Sequence, residues 1–169
     1  MVVWLIGISG SGKTTLGNLL QDYYNRKGIS SFILDGDLVR DFYNNDLGFS
    51  KEDRISNIKR ILLATYVLEK NGIIPIVCNI SPFEELRNFA RSKFESYHEV
   101  YLHKNLDIAK QNDVKGVYKK NLKKTQLVGV DMKFEEPENS NLTINVDLES
   151  KEVSINKIIN YIENLGYGS

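Results

Sequence analysis

The segment Gly7–Thr15 constrains the fold of this chain more than any other part of the sequence. Its letters GISGSGKTT match the phosphate-binding pattern G-x-x-x-x-G-K-[ST] at every position, and the apolar run Val2–Ile6 directly precedes them. This pattern occurs between a β-strand and an α-helix, so it predicts a strand, a tight turn and a helix at the start of the chain. A glycine-rich turn without a ligand is the alternative, and the agreement of pattern and context argues against it.

The chemistry of this loop predicts contacts with a polyphosphate. Gly7, Gly10 and Gly12 let successive main-chain N–H groups turn inward, and the helix that follows adds the positive end of its dipole. The Lys13 ammonium is expected to reach the β- and γ-phosphates, and the Thr14 hydroxyl to hold a magnesium ion. ATP and Mg²⁺ are therefore the predicted cofactors. The predicted ATP-binding residues of the loop are Gly7, Ser9, Gly10, Ser11, Gly12, Lys13, Thr14 and Thr15.

Size and charge favour a single domain that acts on a small molecule. A chain of 169 residues is of the length that one hydrophobic core organises. Its 22 basic and 22 acidic residues cancel, so we expect no nucleic-acid or membrane partner. Met1 leads straight into the first predicted strand, which leaves no room for a signal peptide and predicts a cytoplasmic protein. Cys78 lies in an apolar run and is expected to be a buried structural thiol.

Apolar β-rich runs alternate with helical patterns along the chain. Such alternation predicts an α/β fold with a parallel sheet and helices on both faces. Strands are expected at Val2–Ile6, Ser31–Leu34, Ile73–Ile80, Val100–His103 and Leu142–Val146. Helices are expected at about Lys13–Lys27, Ser50–Gly72, Phe83–Glu95 and Ser154–Leu165.

The stretch 113–141 differs from the rest because it is polar, rich in lysine and without a sustained period. A cluster of lysines is usually a solvated surface. Behind a phosphate loop, the same cluster also suits a lid that closes over the nucleotide, excludes water and neutralises charge. Both interpretations remain open from composition alone.

Two carboxylates flank a glycine where the second predicted strand ends, in the word Leu34-Asp35-Gly36-Asp37. In open α/β folds this edge of the sheet is where ligands bind. A phosphoryl acceptor needs a base within hydrogen-bond reach, and magnesium needs oxygen ligands. We predict that Asp37 orients and deprotonates the acceptor hydroxyl, and that Asp35 and Thr14 lie at the metal. An Asx turn with a helix cap is the alternative for this word.

A second group of polar side chains surrounds the start of the long helix predicted from Ser50. Arg54 and Asn57 are three residues apart and share one helix face, and Phe49 stands just before the helix. Together with Arg40 they have the chemistry to bind an anionic group and to stack a base. As solvated surface side chains they would carry no function, and the residues alone leave both interpretations open.

From the loop to about Asp147 the chain resembles the adenylylsulfate kinase family, whose members use ATP to phosphorylate the 3′-hydroxyl of adenosine 5′-phosphosulfate. The matching words, in order, are GISGSGKTT, LDGD with Arg40, DLGFS with DRISNIKR, NISP, KG with YKK, GVD and PEN. The resemblance implies a P-loop kinase fold with a five-stranded parallel sheet of order 2-3-1-4-5. It also implies a single domain over residues 1–169 with a lid at about 113–141, and a possible homodimer.

The resemblance assigns roles to individual residues. It implies that Arg40, Arg54 and Asn57 hold the phospho-anhydride, that Phe49 stacks the base, and that Lys115 contacts phosphates of both nucleotides. Ser81 of NISP corresponds to a serine described in the family as a phosphoserine intermediate. A hydroxyl without a neighbouring base is a poor nucleophile, so we expect direct transfer and a positioning role for Ser81. The predicted catalytic residues are Lys13, Asp37, Asp35 and Ser81. The predicted substrate-binding residues are Asp37, Arg40, Phe49, Arg54, Asn57, Ile80, Ser81, Lys115 and Leu127.

Several departures from the family pattern cluster near the acceptor. Asn79 replaces the usual phenylalanine before I-S-P, Leu127 replaces the lid phenylalanine, and the lid is shorter. Losing one stacking face at Leu127 should cost roughly 1–3 kcal/mol of base binding. A bulky floor at Phe42 would suit a smaller base.

These departures predict a kinase for the 3′-hydroxyl of cytidine diphosphoramidate, used in capsular polysaccharide phosphoramidate biosynthesis. The alternative is an adenylylsulfate kinase that makes 3′-phosphoadenylylsulfate in sulfate assimilation, and a further alternative is another small-molecule P-loop kinase. A regulatory GTPase would need N-K-x-D, and the segment Asn156-Lys157-Ile158-Ile159 lacks the aspartate. The sequence does not decide between a cytosine and an adenine base, or between a phosphoramidate and a sulfate.

Overall fold

Five parallel strands form one sheet in the order β2-β3-β1-β4-β5, which confirms the predicted topology. The computed structural model of the chain describes residues 1–112, 116 and 126–166. The strands are β1 Val2–Ile6, β2 Ser31–Asp35, β3 Ile74–Cys78, β4 Tyr97–His103 and β5 Leu142–Asn145. The helices are α1 Lys13–Arg26, α2 Gly36–Phe42, α3 Lys51–Lys70, α4 Glu84–Lys93, α5 Leu106–Gln111 and α6 Lys151–Asn164.

Strand β1 lies at the centre of the sheet and is buried along its whole length. Its side chains alternate between two hydrophobic cores, because successive side chains of a strand point to opposite faces. Trp4 packs with Ile58 of α3 on one face, whereas Leu5 packs with Leu20 of α1 and Ile158 of α6 on the other. Apolar residues without polar alternation therefore mark a strand covered by helices on both sides.

Two short helices, α2 and α5, were not predicted. Each begins after a side chain that caps it: Asp35 accepts a hydrogen bond from the Asp37 N–H at 2.9 Å, and Asn105 accepts one from the Asp107 N–H at 2.8 Å. Helices this short contain too few turns for a hydrophobic period to be recognised. The helix-cap alternative for the D-G-D word is therefore correct for Asp35.

Helix α1 approaches strand β3 most closely at Gly17. A Cβ atom at this position would lie 2.5 Å from the Cys78 sulfur, which is closer than packed atoms approach. Cys78 is buried, and this burial raises the pKa of its thiol to about 12. The prediction of a buried structural cysteine is therefore confirmed.

We expect Gly17→Ala to destabilise the fold by about 1–3 kcal/mol, because the added methyl group overpacks the contact between α1 and β3. Thermal unfolding should show a melting temperature lowered by several degrees. Asn18→Ala, on the exposed side of the same helix, is the control and should leave the melting temperature unchanged. Cys78→Ala in the Gly17→Ala background should recover part of the loss. Equal stability of Gly17→Ala and Asn18→Ala would contradict this close packing.

Among the described residues, no helix is both long enough and apolar enough to cross a membrane.

Candidate active site

The phosphate-binding loop joins β1 to α1 and requires glycine for two separate reasons. Gly7 has a φ of 146°, and a Cβ atom there would lie 2.6 Å from the Leu102 carbonyl oxygen. Gly12 is the N-cap of α1 with a φ of 87°, in the left-handed region. No side chain caps α1 at Gly12, so the first N–H groups of the helix remain available to an anion.

The Lys13 side chain folds back over this loop. Its ammonium donates to the carbonyl oxygens of Gly7 at 2.8 Å and Ile8 at 2.7 Å. These contacts keep the positive charge at the mouth of the loop. A phosphate oxygen is a stronger partner for an ammonium than a carbonyl oxygen, because its hydrogen bond is charge-assisted on both sides.

The predicted metal residues, Thr14 and Asp35, are in direct contact. The Thr14 hydroxyl donates to Asp35 Oδ2 at 2.7 Å, which joins the first turn of α1 to the end of β2. Hydroxyl and carboxylate oxygens are the hard ligands that magnesium prefers, so this donor set fits the predicted ion. No group of three or more His, Cys, Asp or Glu side chains suited to a metal occurs in the described part of the chain.

Asp37 follows at the first turn of α2, at the same edge of the sheet. Its side chain is exposed, and its carboxylate makes no hydrogen bond or ion pair with a described residue. This position suits a carboxylate that acts as a base toward a bound substrate. Its assignment as the base stays a prediction.

Phe49 lies within cation–π distance of two guanidinium groups. The guanidinium carbon of Arg40 lies 4.6 Å from the centre of the Phe49 ring, and that of Arg54 lies 5.4 Å from it. Both arginines are buried, with exposed fractions of 6% and 9%. The structure therefore brings together three of the predicted substrate-binding residues. The charges of the two arginines are not freely solvated.

The partners of these arginines in the described chain are main-chain carbonyl oxygens. Arg40 donates to Gly48 at 2.7 Å, and Arg54 donates to Phe49 at 3.1 Å and to Gln126 at 2.6 Å. No described carboxylate lies within ion-pair distance of either guanidinium.

Burial without an ion pair destabilises the charged form of both arginines. Burial lowers the pKa of Arg40, and burial together with the charge of Arg40 lowers the pKa of Arg54 to about 10. Both groups remain protonated at neutral pH. Two like charges buried side by side gain free energy when an anion binds between them.

Asn57 connects helix α3 to the segment that carries Asp35 and Asp37. It is buried, and its side-chain nitrogen donates to the Gly36 carbonyl oxygen at 3.3 Å. Its Oδ1 atom is buried and has no hydrogen-bond partner within the described residues. An unsatisfied buried acceptor beside a predicted substrate site is expected to receive a hydrogen bond from the ligand.

The Ser81 hydroxyl is fully engaged within the protein. It accepts from the Trp4 indole N–H at 2.9 Å and donates to Asn79 Oδ1 at 3.1 Å. Ser81 is 2% exposed and has a φ of 47°, in the left-handed region. A hydroxyl held in this way supports a positioning role and argues against a free nucleophile.

Asn79 is a site residue whose role the sequence analysis missed. Its Oδ1 also accepts from the Ser81 N–H at 2.9 Å, which is an Asx turn. A Cβ atom on Gly36 would lie 2.5 Å from Asn79 Nδ2, so this side chain packs against the glycine between Asp35 and Asp37. In the sequence, an asparagine two residues before a serine at the end of a predicted strand was the signal that could have indicated this Asx turn.

The other predicted residues that the structure describes are Ile80, Leu127 and the rest of the loop. Ile80 is half-buried next to Ser81, and Leu127 is half-buried in a turn where its N–H donates to Asp131 Oδ2 at 2.9 Å. Lys115 and the central part of the predicted lid lie outside the described residues. In the loop, Gly10 and Thr15 are exposed, Ser9 is half-buried and Ser11 is buried.

Comparison with known proteins identifies the family. The family model described as adenylylsulphate kinase matches residues 1–145. The adenylyl-sulfate kinase of Rippkaea orientalis is 39% identical over 171 residues, covering 99% of this chain and 93% of that protein. The probable adenylyl-sulfate kinase of Bacillus subtilis is 39% identical over 166 residues, covering 96% and 84%.

A solved structure agrees with these relatives. The APS kinase CysC of Mycobacterium tuberculosis, in complex with AMPPNP and APS, superposes with a TM-score of 0.90. It is 33% identical to this chain, and the match covers 96% of each.

The prediction of a cytidine diphosphoramidate kinase in capsule biosynthesis is wrong, because the relatives that match almost the whole chain are adenylyl-sulfate kinases. The structure also shows no packed floor at Phe42 among the described residues. Phe42, interpreted as the floor of a smaller base site, is 79% exposed and packs edge-on against Tyr43. A leucine in place of one stacking ring weakens base binding by about 1–3 kcal/mol and does not by itself select another base.

The family match covers most of the chain, and the relatives align over nearly all of it. A phosphate loop in contact with Asp35 at one sheet edge, together with two buried arginines, is consistent with that match. The chain therefore belongs to the adenylylsulfate kinase family and is an ATP-dependent phosphotransferase that acts on an alcohol group.

Proposed function

We propose that this chain transfers the γ-phosphoryl group of ATP to the 3′-hydroxyl of adenosine 5′-phosphosulfate and forms 3′-phosphoadenylylsulfate. The observation that carries the proposal is the pair Arg40 and Arg54, buried against Phe49 without a carboxylate partner in the described chain. Two buried cations suit the two negative charges of a phosphosulfate, and the neighbouring ring suits a purine. The relatives and the solved structure are named for this substrate class.

The reaction follows from the arrangement of the chain's own groups. The loop N–H groups and the Lys13 ammonium stabilise the charge that develops on the transferred phosphoryl group. Asp37 orients the acceptor hydroxyl and accepts its proton as the new P–O bond forms. Ser81, with both hydrogen bonds of its hydroxyl occupied, shapes the acceptor site. Transfer is direct and in line, without a phosphoserine step.

Thr14 and Asp35 are the residues that would hold a magnesium ion. Bound there, magnesium supplies positive charge that offsets the charge of the polyphosphate. Lys115 and a lid at about 113–141 are proposed to cover the phosphates, which is the role expected of lysines beside such a loop. A homodimer and a cytoplasmic location stay predictions from the sequence. The requirement for ATP suits that location.

A direct test measures product formation from ATP, magnesium and adenosine 5′-phosphosulfate. We expect ADP and 3′-phosphoadenylylsulfate to appear in equal amounts. The 3′-deoxy analogue, which lacks the acceptor hydroxyl, and adenosine 5′-monophosphate, which lacks the sulfate, are the two controls. ADP release that is the same with the 3′-deoxy analogue would contradict the proposal.

Arg54→Gln tests the observation that carries the proposal. We expect the KM for adenosine 5′-phosphosulfate to rise about tenfold or more, since a hydrogen bond to a charged group contributes roughly 1.5–3 kcal/mol. Arg60→Gln is the matched control, because Arg60 lies on the same helix and pairs with Asp46 on the surface. An equal rise in KM for both variants would show that Arg54 has no specific role.

A further inference from the structure

A distant segment of the chain caps helix α4. The N-cap residue of this helix, Phe83, makes no side-chain capping bond. Instead, Glu135 Oε2 accepts from the Glu84 N–H at 2.6 Å, across a separation of 51 residues. The Glu135 N–H in turn donates to the Pro82 carbonyl oxygen at 3.0 Å. Glu135 therefore joins its own segment to the turn that contains Ser81.

Arg87, within helix α4, also links the Glu135 segment to the turn that contains Ser81. Its side chain is almost fully buried and also pairs with Glu84. One guanidinium nitrogen donates to the Ser81 carbonyl oxygen at 2.7 Å, and another donates to the Glu135 carbonyl oxygen at 2.6 Å. A planar guanidinium with fixed donor directions holds these two carbonyl groups at a defined separation.

The Ser81 turn needs such support because its backbone is strained. A non-glycine residue at a φ of 47° costs on the order of 1–3 kcal/mol unless the surroundings determine it. Trp4 and Asn79 hold the Ser81 hydroxyl, and Arg87 holds its carbonyl oxygen. The conformation of Ser81 therefore depends on groups from four separate parts of the chain, counting Glu135.

Residues 126–135, here called the return segment, also reach the substrate arginines and the phosphate loop. At one end, the Gln126 carbonyl oxygen accepts from Arg54 at 2.6 Å. In the middle, a Cβ atom on Gly129 would lie 3.7 Å from a side-chain carbon of Ile8. At the other end, Glu135 meets Arg87. The return segment thus spans the site from Arg54 to the Ser81 turn.

We propose that Arg87 and Glu135 are positioning residues that fix the return segment to the Ser81 turn and so set the geometry of the acceptor site. This inference rests on the proposed function, since it assigns the acceptor side of the site to adenosine 5′-phosphosulfate. Neither side chain hydrogen-bonds to the phosphate-binding loop in the described structure. Loosening the connection should therefore weaken use of the acceptor and leave ATP binding intact.

The test compares Glu135→Ala with Glu135→Gln. We expect Glu135→Ala to raise the KM for adenosine 5′-phosphosulfate about tenfold, the scale of one lost charge-assisted hydrogen bond, with the KM for ATP changed less than about twofold. Glu135→Gln keeps an oxygen for the Glu84 N–H and should recover most of this loss. Arg87→Lys keeps the positive charge but loses the planar guanidinium with its several donors. Its KM values should resemble those of Glu135→Ala.

Arg91→Gln is the control on the same helix. Arg91 pairs with Glu84 and Glu99, and in the described structure it bonds to neither Ser81 nor Glu135. We expect it to lower the melting temperature without changing either KM. A Glu135→Ala variant that keeps the wild-type KM for the acceptor, or that raises both KM values equally, would overturn the proposal.

Amide hydrogen exchange gives a readout that does not depend on turnover. The Glu84 amide should exchange faster in Glu135→Ala than in the wild type, and Arg91→Gln should leave it protected. Unchanged exchange in Glu135→Ala would overturn the inference even in an active enzyme. Absence of wild-type turnover with adenosine 5′-phosphosulfate would instead reject the proposed function, and the exchange comparison would still decide whether Glu135 caps the helix.

Discussion

Lys13→Ala should lower kcat by about a thousandfold or more, because the Lys13 ammonium lies directly at the phosphate loop, where the transferred group develops charge. In the wild type the ammonium lies against the Gly7 and Ile8 carbonyl oxygens, where it would meet the β- and γ-phosphates. Removing it takes away one of the positive charges that offset the charge developing on the transferred group. The measurement is ADP release from ATP in the presence of adenosine 5′-phosphosulfate.

The fold should survive this substitution, because Lys13 is only half-buried and its two carbonyl partners can bond to water. Circular dichroism and the melting temperature check this expectation. Lys27→Ala, just beyond the other end of α1 and paired with Glu163, serves as the control and should keep wild-type turnover. Near-normal turnover of Lys13→Ala would show that the loop is not the site of phosphoryl transfer.

Asp37→Asn should lower kcat by about 10²–10⁴-fold, the usual contribution of a positioned general base. The amide keeps the size of the side chain and loses the ability to accept the proton. Binding of ATP, measured by calorimetry, should stay within about twofold of the wild type, because Asp37 lies on the first turn of α2 and not in the phosphate loop.

Asp41→Asn is the matched control, since Asp41 is an exposed acid on the same short helix. It should turn over at the wild-type rate. Parallel losses of kcat and ATP affinity in Asp37→Asn would indicate a role at the metal or in the fold instead of proton transfer.

Several site residues could be placed from the sequence because their signals are local. The loop word follows a strand and opens a helix, so its position at the sheet edge was predictable from spacing alone. The helix predicted from Ser50 likewise begins there, and in the structure Ser50 and Asp53 form a capping box at its start. Asp35 and Asp37 were placed at the same edge because the first ends a parallel strand and the second follows it closely in the chain.

Other features depend on contacts between distant parts of the chain and were not predictable in this way. The exposure of Phe42, at the end of α2, is one such feature, because the sequence analysis interpreted this residue as the floor of a smaller base site. The roles of Asn79 and Glu135 depend on partners from other segments, the latter 51 residues away from Glu84. No local pattern marks a side chain that caps a helix elsewhere in the fold.

The sequence by itself determined the phosphate loop, the order of the strands and of the four longer helices, and the family, because each of these depends on residues adjacent in the chain or on words matched in order. Only the tertiary structure decided which charges are buried without an ion pair, as at Arg40 and Arg54, and which hydroxyl is already engaged, as at Ser81. Burial and hydrogen bonding are set by neighbours in space. Their free energies therefore appear only when the strands have been brought side by side.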